Sequence, residues 1–534
     1  MNFNFNLILF LIITFTILIS CNNEPQTTQN KEEATTTNVV WHEAQHRLQF
    51  HFSPQENWMN HPNGMVYYEG EYHLFYQYYP EDIKWGPMHW GHAISTDLVN
   101  WEHLPIALEP DELGHIFSGS AVVDWNNTTG FGTEENPALV AMFTYHDIEG
   151  EKAGKHDFQT QGLAYSTDKG RTWTKHKGNP VIPNTENIHD FRDPKVFWNE
   201  ATEKWVMVLA AFDIIKIYTS DDMKSWTFAS DFGQGHGSQA RPWECPDLFE
   251  LKDVNGKSKW VLLVSIGDRT ELTAPNGGTG TQYFVGSFDG TTFVNENPKE
   301  TTLWLDYGTD NYAGVTWSDI PEEDGRRLFI GWMSNWKYAQ VVPTEIWRSA
   351  MTLPRTLEIA KTEQGHRLVV NPVKELSKLR GESVNLGAGE LGVSQVIDMN
   401  FKPTLSEVII EFDHTKATYP FGLQLGNERG EYVRVTFDKK FNGFFVDRTG
   451  AGKGDFYPAF RGMHSAQRFY NANNVKMHLF FDKSSVELFA DNGQINMTEI
   501  FFPNEDFTEM SLYIESGVVD FKGGQVYELK SIWK

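Results

Sequence analysis

A short signature occurs four times between residues 95 and 293, and it constrains the fold more than any other feature of the chain. Each copy has a turn-forming aspartate four or five residues before a large aromatic residue. The aspartates are 53 to 71 residues apart, which is long enough for four antiparallel strands and their loops. One turn signature per four-stranded sheet is typical of β-propeller blades, although Ser-Asp turns also occur in other β-proteins. The copies are Ser95-Thr96-Asp97 with Trp101, Ser166-Thr167-Asp168 with Trp173, Thr219-Ser220-Asp221 with Trp226, and Ser287-Phe288-Asp289 with Phe293.

The whole chain beyond residue 40 has an all-β pattern. Short aromatic and β-branched segments alternate with Gly, Asn, Asp and Pro, and a sustained helical period is almost absent. We predict an all-β fold in which a five-bladed β-propeller spans 40–357 and a C-terminal β-sandwich spans 386–534. A linker at 358–385 contains a short helical segment, Val373–Leu379. In the sandwich, hairpin signals occur at Asn442-Gly443 and Asn492-Gly493.

The first 39 residues have the character of an export signal and a tether. Residues Leu7–Ile19 are apolar but too few for a comfortable membrane-spanning helix, as in a signal peptide. Leu18-Ile19-Ser20-Cys21 resembles a bacterial lipobox, which implies cleavage after residue 20 and lipidation of Cys21. Residues 21–39 then form a polar tether. This predicts an exported, membrane-anchored bacterial lipoprotein facing the periplasm or the cell surface; an uncleaved anchor is the alternative.

Charge and composition restrict the partners. The chain has 45 Lys+Arg and 71 Asp+Glu, a formal net charge of -26, which disfavours nucleic acid and anionic membrane surfaces and favours a neutral or cationic partner. Cys21 and Cys245 are its two cysteines, so a lipidated Cys21 leaves no internal disulfide. His89 and His92 have a spacing that metal ligands can have, but no suitable partner follows. We predict no metal and no cofactor; the oligomeric state stays open.

Three short motifs combine acidic and polar residues, and each follows or interrupts a segment with strand character. In a propeller, the innermost strands of the blades begin around one central funnel, so the three motifs are expected to converge there. The motifs are Asn60-His61-Pro62-Asn63-Gly64, Phe191-Arg192-Asp193-Pro194 and Trp243-Glu244-Cys245-Pro246-Asp247.

Together with further segments, these motifs resemble the family 32 glycoside hydrolases, which include invertases, levanases and inulinases. The resemblance covers nearly the whole mature chain and implies hydrolysis of β-D-fructofuranosyl linkages in levan, inulin or sucrose. The further segments are Phe75-Tyr76-Gln77-Tyr78, Trp85-Gly86-Pro87-Met88-His89-Trp90-Gly91-His92, Phe117-Ser118-Gly119-Ser120, Gly331-Trp332-Met333-Ser334-Asn335-Trp336 and Ser485-Val486-Glu487-Leu488-Phe489.

The resemblance also implies roles for individual residues. Glu244 matches the general acid/base, and Asp193 matches the residue that binds fructosyl hydroxyls and stabilises the transition state. Arg192 is expected to keep Asp193 ionised. Cys245 either tunes Glu244 or only packs. The residues matching the walls of the fructose pocket are Asn60, Gln77, Trp85, Phe117, Ser118 and Trp336.

His61 is the one departure in the first motif, because it stands where the family has the aspartate nucleophile. A retaining glycosidase needs a carboxylate there to form and release a glycosyl ester, and losing a covalent nucleophile can cost on the order of 10⁴ to 10⁶ in turnover. Three hypotheses follow. The chain is an exo-acting β-fructosidase with a variant nucleophile position, a fructan-binding pseudoenzyme, or an inverting enzyme in which neutral His61 is the base for water and Glu244 the acid.

Overall fold

The computed structural model describes residues 40–269 and 274–533. The predicted signal peptide, the lipidation site Cys21 and the tether at 21–39 lie outside the described residues. No helix within the described ranges is long and apolar enough to cross a membrane. The helical segments there are short: 3-10 turns at Trp41–Glu43 and Lys374–Leu379, and one α-helix, α1, at Ile148–Lys152. The all-β prediction is therefore confirmed, and so is the short helical segment near residue 375.

Five sheets in the described part of the chain form the blades of a propeller, which confirms the predicted architecture. Blade one contains β1 (Asn57–Tyr68), β2 (Glu71–Tyr79), β3 (His89–Ser95) and β4 (Glu102–Leu108). Blade two contains β5 (His115–Val123), β6 (Leu139–His146), β7 (Gln159–Ser166) and β8 (Thr174–Lys175). Blade three contains β9 (Phe191–Asn199), β10 (Lys204–Ala211), β11 (Ile214–Ser220) and β12 (Thr227–Phe232).

The remaining two blades add extra short strands. Blade four contains β13 (Trp243–Lys252), β14 (Ser258–Ile266), β15 (Gly280–Phe288), β16 (Phe293–Asn295) and β17 (Leu303–Trp304). Blade five contains β18 (Tyr312–Thr316) and β19 (Arg327–Met333); β20 (Trp347–Arg348) pairs in parallel with β1 of blade one and so ties the last blade to the first. Blade five is completed by β21 (Ala350–Met351), β22 (Arg355–Thr362) and β23 (Gly365–Pro372).

The repeated signature occupies the same place in the first four blades, the turn between the third and fourth strands. In each copy an aspartate two residues after a serine caps the turn, and in the first three copies the serine hydroxyl also accepts a backbone N–H there. The Asp97 carboxylate, for example, accepts the N–H groups of Val99 and Asn100 at 3.1 and 2.8 Å. In the third copy this aspartate is Asp222 and not Asp221, because Asp222 accepts the backbone N–H of Lys224 at 2.9 Å. The repeat thus predicts the blades correctly, with one residue misassigned.

The boundary at the end of the propeller differs from the prediction. Strand β22 pairs with β19, and β23 pairs with β22, so the fifth blade extends to Pro372 and not to residue 357. The predicted linker at 358–385 is therefore mostly ordered structure, with two blade strands, a 3-10 turn and the first sandwich strand. Alternation of apolar and polar residues marks these strands, but it does not show which sheet they join.

The C-terminal region is a two-sheet sandwich around one apolar core. The seven-stranded sheet contains β24 (Arg380–Leu386), β25 (Gly389–Leu391), β27 (Ser406–Asp413), β32 (Asn474–Asp482), β33 (Ser485–Ala490), β34 (Ile495–Ile500) and β36 (Val519–Leu529). The six-stranded sheet contains β26 (Gln395–Val396), β28 (Phe421–Gly426), β29 (Tyr432–Asp438), β30 (Gly443–Asp447), β31 (Met463–Gln467) and β35 (Glu509–Ile514).

A buried network of charged groups joins the sandwich to the propeller. Arg355, at the start of β22, binds Glu487 of β33 at 2.6 Å and Asp306 at 2.9 Å. His51 lies between Asp482 and Glu487 at 2.8 and 3.0 Å. Because the side chains of all five residues are almost completely buried, each charge depends on its partners for compensation.

Replacing Arg355 with alanine is expected to lower the free energy of unfolding by about 3–5 kcal/mol, because it leaves the buried carboxylate of Asp306 without its cation and that of Glu487 with His51 alone. Urea unfolding monitored by tryptophan fluorescence measures this. Lys152→Ala is the control, because the Lys152–Glu149 pair is exposed and contributes less than about 1 kcal/mol. A loss as small as that of the control would show that the network does not stabilise the fold.

Candidate active site

One cavity lies where the innermost strands of the blades begin, and it has a volume of about 310 Å³. All ten pocket residues predicted from the sequence contribute to its walls. They come from blades one to four and from the segment after β19, so residues far apart in the chain converge as expected. The ten are Asn60, His61, Gln77, Trp85, Phe117, Ser118, Arg192, Asp193, Glu244 and Trp336.

An interruption of the strand ladder occurs at the cavity end of all five innermost strands, β1, β5, β9, β13 and β18. Pro62, Pro194 and Pro246 lie in or beside three of these irregularities, as expected for a residue without an N–H to give to the ladder. Asp193 and Cys245 have positive φ angles, 65° and 46°. Such bulges turn side chains away from the regular alternation, which is how consecutive polar residues come to face one cavity.

Arg192 is the central cation of the cavity, and 5% of it is exposed. Its guanidinium donates to Asp190 at 2.6 Å, to Gln159 at 3.2 Å and to Oε1 of Glu244 at 3.2 Å. The prediction paired Arg192 with Asp193, whereas its hydrogen bonds go to Asp190 and Glu244. Arg192 therefore fixes the position of the Glu244 carboxylate.

Asp193 is held by the chain next to Glu244. The backbone N–H of Cys245 donates to Oδ2 of Asp193 at 2.9 Å, and the backbone N–H of Asp193 donates to Thr144 at 3.0 Å. Burial raises the pKa of Asp193 to about 6, with the charge of Glu244 adding to the rise and Arg192 opposing it. Arg192 therefore acts in the predicted direction and favours the ionised form of Asp193, although burial has the larger effect on its pKa.

Glu244 has a second partner that the sequence analysis missed. The hydroxyl of Tyr312, the first residue of β18, donates to Oε2 of Glu244, while Oε1 accepts from Arg192. Burial raises the pKa of Tyr312, so its phenol remains a proton donor. Its position in the sequence could have identified it. Tyr312 starts the innermost strand of the fifth blade, and the three predicted motifs lie near the starts of the innermost strands of other blades.

The thiol of Cys245 lies between Asp193 and His61. Its Sγ lies 3.6 Å from Oδ2 of Asp193 and 3.8 Å from Nδ1 of His61. Burial raises the pKa of this thiol, so it stays neutral. The thiol of Cys245 therefore contacts Asp193 and His61 directly, and whether it tunes Glu244 or only packs stays a prediction.

His61 lies in an aromatic pocket at the cavity wall. Its ring packs edge-on against Tyr312, Trp332 and Trp336, with centroids 5.3 to 5.5 Å apart. Its Nε2 is buried and has no hydrogen-bond partner among the described residues. Burial lowers the pKa of His61 to about 4, with Glu244 opposing the shift and Arg192 adding to it. His61 is therefore an uncharged imidazole near neutral pH.

This pKa predicts a contribution of His61 to acid sensitivity. Between pH 6.5 and about 4, His61 is protonated in the unfolded chain but not in the folded chain. The free energy of unfolding therefore decreases by about 1.4 kcal/mol for each unit by which the pH is lowered. A His61→Asn variant lacks this loss, while the opposite contribution of buried Asp193 is present in both proteins. In urea unfolding, the free energy of unfolding of the unmodified chain should fall by about 2–3 kcal/mol more between pH 7 and pH 4.5 than that of His61→Asn. Parallel pH profiles would contradict it.

The other predicted residues form the walls. Trp336 stacks on Trp58 with ring centroids 5.8 Å apart, and Trp85 lies edge-on to Phe117 at 6.1 Å. Nε1 of Trp58 donates to Oδ1 of Asn60 at 2.7 Å. Nε2 of Gln77 is buried without a hydrogen-bond partner among the described residues, so it is available to a ligand.

Several wall residues were not predicted. Asp190 also pairs with Arg269 at 3.1 Å, and His146 stacks on Phe117 with centroids 4.2 Å apart. Asp190 precedes the Phe191-Arg192-Asp193-Pro194 motif directly, which is the signal that could have identified it. The unpredicted residues that line the cavity include His146, Glu151, Phe158, Gln159, Asp190, Pro242, Asp268, Arg269 and Thr279.

The two histidines considered as metal ligands have other roles. His92 is buried with its Nε2 3.0 Å from Nδ1 of His73, and Nδ1 of His89 lies 2.8 Å from the carbonyl oxygen of Pro87. Within residues 40–269 and 274–533, no group of three or more His, Cys, Asp or Glu side chains is arranged to hold a metal ion.

A propeller cavity with one carboxylate clamped by an arginine and a tyrosine, a second buried carboxylate beside it and tryptophan walls defines a glycoside hydrolase. Residues 51–372 match the N-terminal domain of glycosyl hydrolases family 32, and residues 375–528 match the C-terminal domain of the same family. The chain belongs to glycoside hydrolase family 32.

Individual relatives agree with this assignment. The chain is 49% identical over 516 residues to a levanase of Bacillus subtilis (strain 168), covering 94% of this chain and 73% of that one. The exo-inulinase from Aspergillus awamori superposes with a TM-score of 0.83 at 35% identity, covering 91% of this chain and 99% of that chain. The β-fructofuranosidase from Schwanniomyces occidentalis complexed with fructosyl-erythritol has a TM-score of 0.82 at 31% identity, covering 93% and 99%.

Proposed function

We propose that this chain is an exported β-fructosidase that binds terminal β-D-fructofuranosyl units of levan, inulin or sucrose and releases fructose slowly. The observation that carries the proposal is the convergence of Glu244 and Asp193, from neighbouring blades, on one tryptophan-walled cavity. Relatives named levanase and exo-inulinase, and a similar structure that holds a fructosyl ligand, support the sugar class.

Glu244 is the general acid in this proposal. Glycosidases protonate the departing glycosidic oxygen with one carboxylic acid, and Glu244 is fixed by Arg192 on one oxygen and Tyr312 on the other. Asp193, buried and bonded to the backbone of Cys245, binds sugar hydroxyls and stabilises positive charge at the ring. Asn60, Gln77, Trp85, Phe117, Ser118 and Trp336 enclose the terminal sugar.

His61 limits the rate. An uncharged imidazole provides no carboxylate to form a glycosyl ester and no negative charge to stabilise an oxocarbenium-like transition state. The same observation favours a second candidate function, a fructan-binding protein that holds the sugar without cleaving it. Direct inversion through His61 is less favoured, because a base with a pKa of about 4 accepts a proton from water poorly.

The N-terminal proposal is independent of the cavity. Leu18-Ile19-Ser20-Cys21 supports cleavage before Cys21 and lipidation of its thiol, followed by the polar tether at 21–39. Mass spectrometry of the N-terminal peptide from the membrane fraction tests it. A protein that keeps residues 1–20, or an unmodified Cys21, would contradict it.

Calorimetric titration with sucrose and with short β-2,1 and β-2,6 oligosaccharides tests sugar binding. Gln77→Ala is expected to weaken binding by about 5- to 30-fold, because it removes a buried donor that has no partner within the described protein. Gln364→Ala is the matched control, since Gln364 is exposed on a distant turn. Equal affinities for both variants would exclude the cavity as the sugar site. Binding without any fructose release would favour the second candidate.

A further inference from the structure

A second, larger cavity lies at the other end of the propeller channel, with a volume of about 560 Å³. The innermost strands begin at the active-site cavity and end here. On β9, for example, Asp193 lines the first cavity and Phe197 lines the second. Among the described residues, none lines both cavities. The second cavity is thus separate from the site described above.

Tryptophan rings dominate the walls of this cavity, which contains Trp125, Trp198, Trp205 and Trp260. Trp198 and Trp205 pack edge to face with centroids 5.2 Å apart, and Phe197 supports Trp260 at 5.6 Å. Cavities of this size with aromatic walls and a few polar groups are the usual form of small-molecule and sugar sites.

Trp125 presents its ring to solvent. Of the 18 tryptophans in the chain, it is the one that the described structure leaves more than half exposed, at 55%. The ring is nevertheless fixed, because its Nε1 donates to Oδ1 of Asp319 at 2.9 Å and the ring leans on Tyr68 with centroids 5.8 Å apart. An exposed but immobilised indole offers a flat apolar face at small entropic cost on binding.

Polar groups line the same cavity at two depths. Glu200, Glu250 and Asn126 are exposed around its opening and can exchange hydrogen bonds with hydroxyl groups. Deeper, Asp247 is completely buried and its Oδ1 has no hydrogen-bond partner within the described chain, although Oδ2 accepts from the backbone of Thr316. A ligand hydroxyl can therefore reach the three groups at the opening, whereas Asp247 is closed off from solvent.

The electrostatics of the cavity favour a neutral ligand. Lys195 is paired with Asp247 at 3.4 Å, and the guanidinium of Arg327 lies over the ring of Phe249 at 5.0 Å. These two cations are outnumbered by four carboxylates in the lining, which repel anions as does the net charge of -26; the carboxylates are those of Glu200, Asp247, Glu250 and Asp319. Aromatic faces with hydroxyl-bonding groups and an excess of carboxylates fit a polysaccharide better than a phosphorylated or nucleic-acid partner.

We propose that this cavity, centred on Trp125, is a second carbohydrate-binding site that holds a stretch of the same neutral polysaccharide whose end enters the active site. Its identification with a fructan rests on the proposed function. A polymer long enough to contact both ends of the propeller gains avidity that a short oligosaccharide does not, because the second contact is made at high effective concentration.

The test compares polymer and oligosaccharide binding by the full chain. Electrophoretic retardation in gels containing levan or inulin reports polymer binding, and calorimetry with a trisaccharide reports the active site. Trp125→Ala is expected to weaken polymer binding at least about fivefold and to leave trisaccharide affinity unchanged. Trp125→Phe, which keeps an aromatic face, should retain most of the polymer binding. Tyr419→Ala is the control, because Tyr419 is 47% exposed on the sandwich.

If Trp125→Ala is retarded as strongly as the unmodified chain, the second site is overturned. The same holds if Gln77→Ala loses retardation while Trp125→Ala keeps it, because all polymer binding would then be at the active site. If Trp125→Ala does not fold, the rim double variant Asn126→Ala with Glu250→Ala replaces it, with the same expected loss. A chain that fails to bind the trisaccharide would overturn the proposed function, whereas Trp125-dependent retardation in that chain would still support the second site.

Discussion

Replacing His61 with aspartate is expected to increase fructose release from levan, inulin or sucrose by at least about 10³-fold. Aspartate restores a carboxylate that can attack the anomeric carbon, carry the glycosyl group as an ester and release it to water. Histidine cannot form a glycosyl ester, and the uncharged imidazole of His61 places no negative charge beside an oxocarbenium-like transition state. Aspartate is also smaller than histidine, so the pocket formed by Tyr312, Trp332 and Trp336 accommodates it without a clash.

Initial rates of fructose release by both proteins measure this gain. His61→Asn is the matched control, since it has the size of aspartate without the charge and is expected to remain as slow as the unmodified chain. Equal rates for the unmodified chain and His61→Asp would show that the missing carboxylate does not limit turnover. An inverted anomer from the unmodified chain, at a rate that rises with pH through about 4, would instead support His61 as a base for water.

The sequence predicted the blades and the cavity walls well because both leave local marks. An aspartate caps the same turn in four blades, and prolines lie at the interruptions of three innermost strands, where the neighbouring side chains turn toward the cavity. Both features depend on local backbone chemistry, so they can be recognised from the sequence before the fold is known. The error at Asp221 arose because Asp221 and Asp222 are adjacent aspartates; the Ser-x-Asp spacing of the other copies selects Asp222, in agreement with its hydrogen bonds.

Pairwise relations across blades could not be read in the same way. Arg192 is next to Asp193 in sequence, yet successive residues of an interrupted strand point differently, and its guanidinium reaches Asp190 and Glu244 instead. Tyr312 reaches Glu244 from 68 residues away. The membership of β22 and β23 in the fifth blade is likewise a long-range pairing. Sequence patterns identify many of the residues that face the cavity, whereas the hydrogen-bond partners of those residues depend on how the five blades assemble.

In the His61→Asp background, replacing Glu244 with glutamine is expected to lower fructose release from sucrose by about 10²- to 10⁴-fold. Glutamine keeps the size of the side chain and can still bond to Arg192 and Tyr312, but it has no proton to give to the departing oxygen. The leaving group of p-nitrophenyl β-D-fructofuranoside needs no protonation. With this substrate, Glu244→Gln should therefore reduce the rate of glycosyl-enzyme formation much less. Single-turnover release of p-nitrophenol measures that step alone.

Glu151→Gln in the same background is the control for this experiment. Glu151 also lines the cavity, but its carboxylate lies 3.1 Å from Nε2 of His146 and takes no part in the hydrogen bonds described above for Arg192 and Asp193. It is expected to change both substrates' rates by less than about tenfold. If Glu244→Gln slowed sucrose and the activated substrate equally in a single turnover, Glu244 would be positioning the sugar and not protonating the leaving group. The dependence of the loss on the leaving group therefore tests the role of Glu244 separately from its place in the Arg192 clamp.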